Sequence, residues 1–178
     1  MQLINTELKG VKLLKPEVHY DERGFLMESF SRQRYLSLLE LEQDFVQDNL
    51  SQSKQGVLRG LHFQKNKPQG KLVMVGWGRI YDVVVDIAPD SPTFGRHLAV
   101  ELSAENQLQL WVPPGYAHGF CVLSESAQVL YKCTDYYDPM DQAGVRWNCP
   151  DLAIPWPIKE PILSDKDQHL PRLAAFHR

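Results

Sequence analysis

The sequence predicts a mainly β protein, a sandwich or barrel of antiparallel strands, and three observations carry that expectation. From Phe45 onward the apolar residues fall into short runs rich in β-branched and aromatic side chains. These runs recur at intervals of roughly ten residues. Between them stand Gly, Pro, Asn and Asp, the residues that end strands and form turns.

In chain order, the first forty residues offer a strand at 10–14 and a second at 25–30, separated by Asp21-Glu22-Arg23-Gly24. Locally that tetrapeptide reads as a solvated hairpin turn. Ser31 is placed to cap a helix in which Tyr35, Leu36, Leu38, Leu39 and Leu41 follow a helical period. Strands are then expected at 57–63, 71–77, 79–87, 96–102, 107–112, 118–123 and 129–136, with Gly76-Trp77-Gly78 and Ser103-Ala104-Glu105-Asn106 as turns. The tail from Asn148 carries Pro150, Pro155, Pro157, Pro161 and Pro171, so it should wrap the surface in extended form before any short helical piece. Repeats and linkers are lacking, and 178 residues suit one domain, expected to span 1–178.

Composition narrows the function. A hydrophobic fraction of 43% and a charged fraction of 23% are ordinary for a globular chain, and a net charge of -3 gives no long-range attraction for nucleic acid. An anionic small ligand remains compatible, because a few converging Arg and Lys bind phosphate locally. Cys121, Cys133 and Cys149 are odd in number and lack CxxC spacing, so buried free thiols in a reducing cytoplasm are expected. The first residues have no basic start followed by an apolar core, and no apolar run approaches the roughly 18–20 residues of a membrane span. A cytoplasmic protein that neither enters membranes nor binds nucleic acid is the expectation.

The stretch that organises the chemistry is VLRGLHFQ at 57–64, which sets a cation and an imidazole in an apolar run. Strict strand alternation would put Arg59 and His62 on opposite faces. For both to serve one site, the backbone near Gly60 must kink, bulge or turn. His118, delivered by Pro113-Pro114-Gly115-Tyr116-Ala117, either caps a strand or faces a ligand. Tyr131 is either ordinary strand core or a phenol able to protonate a carbanion. A jelly-roll metal site normally takes a His-x-His pair, and His62 has no such partner at 60 or 64, so no metal is expected. Nucleophile-elbow, dinucleotide and phosphate-loop motifs are also missing. What remains is proton chemistry beside a carbonyl, for which a His base, a Tyr acid and a nearby Lys or Arg suffice.

Read as a set, these residues resemble the dTDP-4-dehydrorhamnose 3,5-epimerase family. The resemblance runs from Asp21-Glu22-Arg23-Gly24-Phe25 through Gln47-Asp48-Asn49, Arg59-Gly60-Leu61-His62-Phe63-Gln64, Gln69-Gly70-Lys71 and Pro114-Gly115-Tyr116-Ala117-His118-Gly119-Phe120. It continues through Tyr131-Lys132-Cys133-Thr134-Asp135-Tyr136-Tyr137 and Arg146-Trp147-Asn148 to Leu163-Ser164-Asp165-Lys166-Asp167. It implies a mainly β cupin jelly-roll barrel with a few short helices, acting without cofactor on dTDP-4-dehydro-6-deoxy-D-glucose. By the same resemblance His62 is the base, Asp167 its orienting carboxylate, Tyr131 the acid on the opposite face and Lys71 the stabiliser of the enolate. Arg23 and Arg59 match diphosphate ligands, Tyr137 a ring stacked on thymine, and Glu28, Gln47, Asn49, His118 and Lys166 further substrate contacts. The family forms homodimers, which implies that Arg23 and Glu28 act across the interface. Two positions depart from it: Gln142 stands where Glu is common and is carried as a contact, and Leu50 stands where His is frequent. Relatives that invert only C3 or only C5 keep much the same residues, and a non-catalytic sugar-nucleotide-binding cupin is a further alternative.

Overall fold

A computed structural model describes residues 1–176, and these form two facing antiparallel sheets, the jelly-roll arrangement of a cupin. The six-stranded sheet runs in the order β1 (Gln2–Asn5), β2 (Lys12–Lys15), β10 (Gln109–Val112), β7 (Lys71–Trp77), β12 (Ser126–Cys133), β5 (Gln47–Lys54). The five-stranded sheet runs β13 (Gln142–Gly144), β6 (Leu58–Gln64), β11 (Tyr116–Val122), β8 (Arg79–Asp86), β9 (His97–Ser103). A separate hairpin pairs β3 (Val18–Asp21) with β4 (Gly24–Met27), turning through Glu22 and Arg23 as expected.

Between the sheets, Val73, Val75, Leu110, Val112 and Val129 meet Ile80, Val84, Leu102, Phe120 and Val122 in one apolar cluster. Both outer faces are partly covered as well. Helix α1 (Arg32–Leu38) lays Tyr35 with Leu39 onto Leu14, Leu72 and Trp111 of the six-stranded sheet. Ser31 is its N-cap residue by position, although the hydroxyl makes no capping bond; the Tyr35 N–H bonds the Ser31 carbonyl at 2.8 Å. The proline-rich tail packs Cys149, Leu152 and Leu173 over Leu61, Val83 and Val85 of the other sheet. It is less extended than expected: the Leu152 and Ala153 N–H groups turn back onto the Cys149 carbonyl, and irregular chain then leads to α2 (Asp165–Gln168) and a final 3-10 turn at Leu173–Phe176. All three cysteines are buried free thiols. No helix among the described residues is long and apolar enough to cross a membrane.

Strand ends differ from the sequence reading by a few residues, the largest shift being the 129–136 strand, which runs Ser126–Cys133. Strands β1, β3, β5 and β13 were not legible. The instructive one is β5. It turns Gln47, Asn49, Ser51 and Ser53 toward the interior, so its buried face carries no apolar signal.

The feature that positions the site is the β6–β11 contact. His118 pairs with His62 but Phe120 pairs with Arg59, so β6 holds one more residue than β11 across that step. This bulge reverses the alternation between Arg59 and His62, and both side chains line one cavity. Gly60 has φ +128° and the Gly60–Leu61 peptide is cis. A Cβ on Gly60 would lie 2.6 Å from the Gly119 Cα, and one on Gly119 would lie 2.6 Å from the Arg59 carbonyl oxygen. Both glycines are therefore required by the closeness of two backbones. Gly119→Ala, at an ordinary φ, is expected to destabilise the fold by about 1–3 kcal/mol. Thermal denaturation measures this, and an unchanged midpoint would show that the strands are not in such close contact.

Candidate active site

At one end of the barrel the interior faces of β7, β11 and β12 change from aliphatic to polar, and a cavity of about 420 Å³ opens there. On β7, Lys71 continues the inward face of Val73 and Val75. On β12, Tyr131 and Cys133 continue that of Val129, and on β11, His118 continues that of Phe120 and Val122. The volume falls within the range of small-molecule sites.

His62, from β6, places Nε2 at 2.5 Å from Oδ1 of Asp167, which α2 delivers. Asp167 is 4% exposed. Its second oxygen accepts from the Gly60 N–H at 3.4 Å, and its own N–H is capped by Ser164 Oγ. Burial alone would raise the Asp167 carboxyl, but the His62 hydrogen bond and charge, with the Gly60 and Ser164 bonds, outweigh it and hold the group below the usual range. An ionised carboxylate only accepts, so Nε2 donates and the lone pair of the neutral ring resides on Nδ1. That is the tautomer of a base whose free nitrogen belongs to a ring lining the cavity.

Tyr131 stands on the opposite sheet. Burial, aided by Cys133 and Tyr137 and opposed by Arg59, pushes its phenol above the ordinary value, so it stays protonated at neutral pH. For Lys71, burial pulls the ammonium pKa down, while Cys133 and Asp82 favour the charge. An anion formed beside Lys71 would restore what burial removes, which suits a group that stabilises a transient negative charge.

The remaining expected residues divide in two. Arg59, held by its Nε–H to Ser53 Oγ at 3.0 Å, lines the cavity with Gln47, Asn49, His118 and Tyr137. Gln142 bridges the mouth: its Oε1 accepts from the Tyr137 hydroxyl at 2.7 Å and from Lys166 Nζ. Arg23 and Glu28 do not line this cavity. Arg23 is exposed and paired with Asp21 on its own hairpin, and Glu28 lies 3.4 Å from Arg34. Within one chain, then, the fold gathers all the expected residues except those two.

Sequence reasoning missed several supporting groups. Asp82 is wholly buried behind His118. Ser51 lines the cavity with a buried hydroxyl that has no protein partner among the described residues. Asp141 accepts from the Asn66 and Lys67 N–H groups and so fixes the loop leading to Gln69 and Lys71. Each lies in a stretch without motif character, and for Asp82 a charge inside an apolar run was the available signal. Among the described residues, no three His, Cys, Asp or Glu side chains converge as a ligand set for a metal ion.

Comparison with known proteins decides the family. The family model for dTDP-4-dehydrorhamnose 3,5-epimerase matches residues 5–175. The chain belongs to the dTDP-4-dehydrorhamnose 3,5-epimerase family. It is 49% identical to the dTDP-4-dehydrorhamnose 3,5-epimerase of Shigella flexneri over 94% of this chain and 93% of that one. It is 51% identical to the namesake from Neisseria gonorrhoeae, where it spans 94% of itself but only 51%, about half, of the relative's length. The dTDP-6-deoxy-D-glucose-3,5-epimerase of Legionella pneumophila Philadelphia 1, solved in complex with dTDP-4-keto-L-rhamnose, superposes with a TM-score of 0.94 at 49% identity. That match covers 97% of this chain and 93% of the other.

The His62–Asp167 pair of this family member has a pH signature. Asp167 titrates lower in the folded state than in the unfolded chain, so its contribution to stability is complete above the unfolded value and is lost as pH falls through the folded one. Asp141 acts in the same sense: burial would raise its carboxyl, but the Asn66 and Lys67 bonds prevail. Asp167→Asn should therefore flatten the fall in denaturation midpoint between about pH 5 and pH 3 relative to the parent. Parallel curves for the two proteins would contradict the assignment.

Proposed function

We propose that this chain inverts C3 and C5 of dTDP-4-dehydro-6-deoxy-D-glucose to give dTDP-4-dehydro-L-rhamnose, using its own side chains as acid and base. The observation that carries this reading is the pairing of a carboxylate-held imidazole on one sheet with a half-buried neutral phenol on the facing sheet, the cavity lying between.

His62 Nδ1 takes the proton from the carbon next to the C4 carbonyl, and the C–H electron pair moves toward the carbonyl oxygen to form an enolate. Lys71 stabilises that oxygen, a charge present mainly in the transition state and intermediate, so its contribution goes to rate. Tyr131 returns a proton to the opposite face, the carbonyl re-forms, and the carbon is inverted. Solvent then takes the proton from His62 and reprotonates Tyr131. The same cycle serves either carbon, each lying α to C4. Arg59, with its planar donor fork, suits the diphosphate, with Lys166 as a second cation and Tyr137 as the ring for the base. Gln47, Asn49, His118 and Gln142 complete the contacts.

The same reading takes the chain as a single domain that works as a homodimer in the cytoplasm, where buried free thiols remain reduced. The β3–β4 hairpin exposes Tyr20 at 69%, Phe25 at 56% and Leu26 at 75%, and Leu50 on edge strand β5 is 65% exposed. Apolar groups this open favour burial against a second copy, which would carry Arg23 and Glu28 to the partner's cavity. Sedimentation should give a dimer, and Leu26→Glu should shift it toward monomer and lower kcat/KM. A fully active monomer would refute the shared site.

Activity itself is tested by supplying dTDP-4-dehydro-6-deoxy-D-glucose and trapping the product with a reductase to read its configuration. The L-rhamno product is expected, with turnover reduced by at least about 10²-fold in His62→Ala. Inversion at one carbon only, or turnover untouched by His62→Ala, would overturn the proposal.

A further inference from the structure

A buried carboxylate with no part in the mechanism above lies directly behind the cavity. Asp82 is 0% exposed and shares the inward face of β8 with Ile80 and Val84, where an aliphatic residue would pack without cost. A carboxylate at such a position must be balanced by a partner. Its partner is His118, whose Nε2 lies 2.9 Å from one Asp82 oxygen and 3.0 Å from the other. The arrangement parallels the His62–Asp167 pair. His62 and His118 are register partners on neighbouring strands, and each ring has its Nε2 tied to a buried carboxylate, from α2 in one case and from β8 in the other.

We propose that Asp82 is a positioning residue of the epimerase site, holding His118 as the Nε2–H tautomer so that Nδ1 is left to accept a hydrogen bond from a hydroxyl of the sugar. The inference rests on the epimerase reading for the identity of that sugar. His118 Nδ1 has no protein partner among the described residues, and the ring lines the cavity. The same carboxylate also favours the charged form of Lys71 against burial, so one buried group supports two side chains facing the substrate. A ring free to choose its tautomer would present an N–H to the hydroxyl part of the time, and the hydroxyl would then have to accept instead of donate.

Asp82→Asn keeps the volume and removes the selective acceptor. Carboxylates that orient a metal-ligating histidine typically contribute about 10–100-fold, and an effect of the same order is expected for one that orients a substrate-binding histidine. The expected result is a fall in kcat within that range, while the Kd for dTDP stays within about twofold, because Arg59 and Tyr137 do not depend on Asp82. An unchanged kcat, or a loss of dTDP binding in step with kcat, would overturn the proposal in favour of a purely structural role. Should the variant not fold, the parent protein decides the matter. A two-bond proton–nitrogen spectrum, with the His118 signals assigned by their loss in His118→Asn, is expected to show the Nε2–H tautomer. The Nδ1–H tautomer would refute the assignment. A parent that folds but does not turn over the sugar nucleotide would count against the epimerase reading, and the tautomer measurement would still stand.

Discussion

The site depends on the close approach of β6 to β11 at Gly60 and Gly119. In a regular strand Arg59 and His62 would face opposite sides of the sheet, one into the barrel and one toward the tail. The extra residue in β6 brings both inward, and the two glycines allow the backbones to come close enough for the bulge to pair. His62 then meets the tail segment carrying Asp167, and the tail is held there by its packing on the outer face of the same sheet. The geometry of the cavity and the packing of the barrel are thus one constraint.

The cavity brings together three kinds of electrostatic environment. His62 has a buried carboxylate behind it, Tyr131 has its phenol pushed up chiefly by burial, and Lys71 is desolvated but retains Asp82 as a counter-charge. The imidazole, the phenol and the ammonium are thus set apart by environment as well as by side-chain type. The price in stability of so many buried polar groups is limited by pairing, as with Arg59 to Ser53 and Asp141 to the Asn66–Lys67 backbone.

Much of this was legible in the residues, for reasons that differ from place to place. The strands from β6 to β12 announced themselves because at least one face of each is apolar, and the 21–24 turn because its residues favour hairpins. Strand β5 was silent because its inward residues Gln47, Asn49 and Ser51 are a wall of the cavity, so the alternation that marks a strand was replaced by polar residues. The conflict between Arg59 and His62 pointed to an irregularity at Gly60, but which form it took depended on register with β11, a tertiary fact. The motifs named His62, Tyr131 and Asp167 through family resemblance. Nothing local could have linked Asp167 to a strand more than a hundred positions earlier, or Asp82 to His118, since those contacts exist only once the sheets close.

The claim at the centre of the account is that His62 and Tyr131 work on opposite faces of the same carbon. It is tested most directly by running Tyr131→Phe on dTDP-4-dehydro-6-deoxy-D-glucose in heavy water and following deuterium entry and inversion separately by NMR. With His62 intact, deuterium entry at the acidic carbons should persist within about tenfold of the parent, while inversion falls by about 10² or more. If exchange and inversion are lost together, the two residues do not divide the proton transfers between them, and the account of opposed faces is wrong.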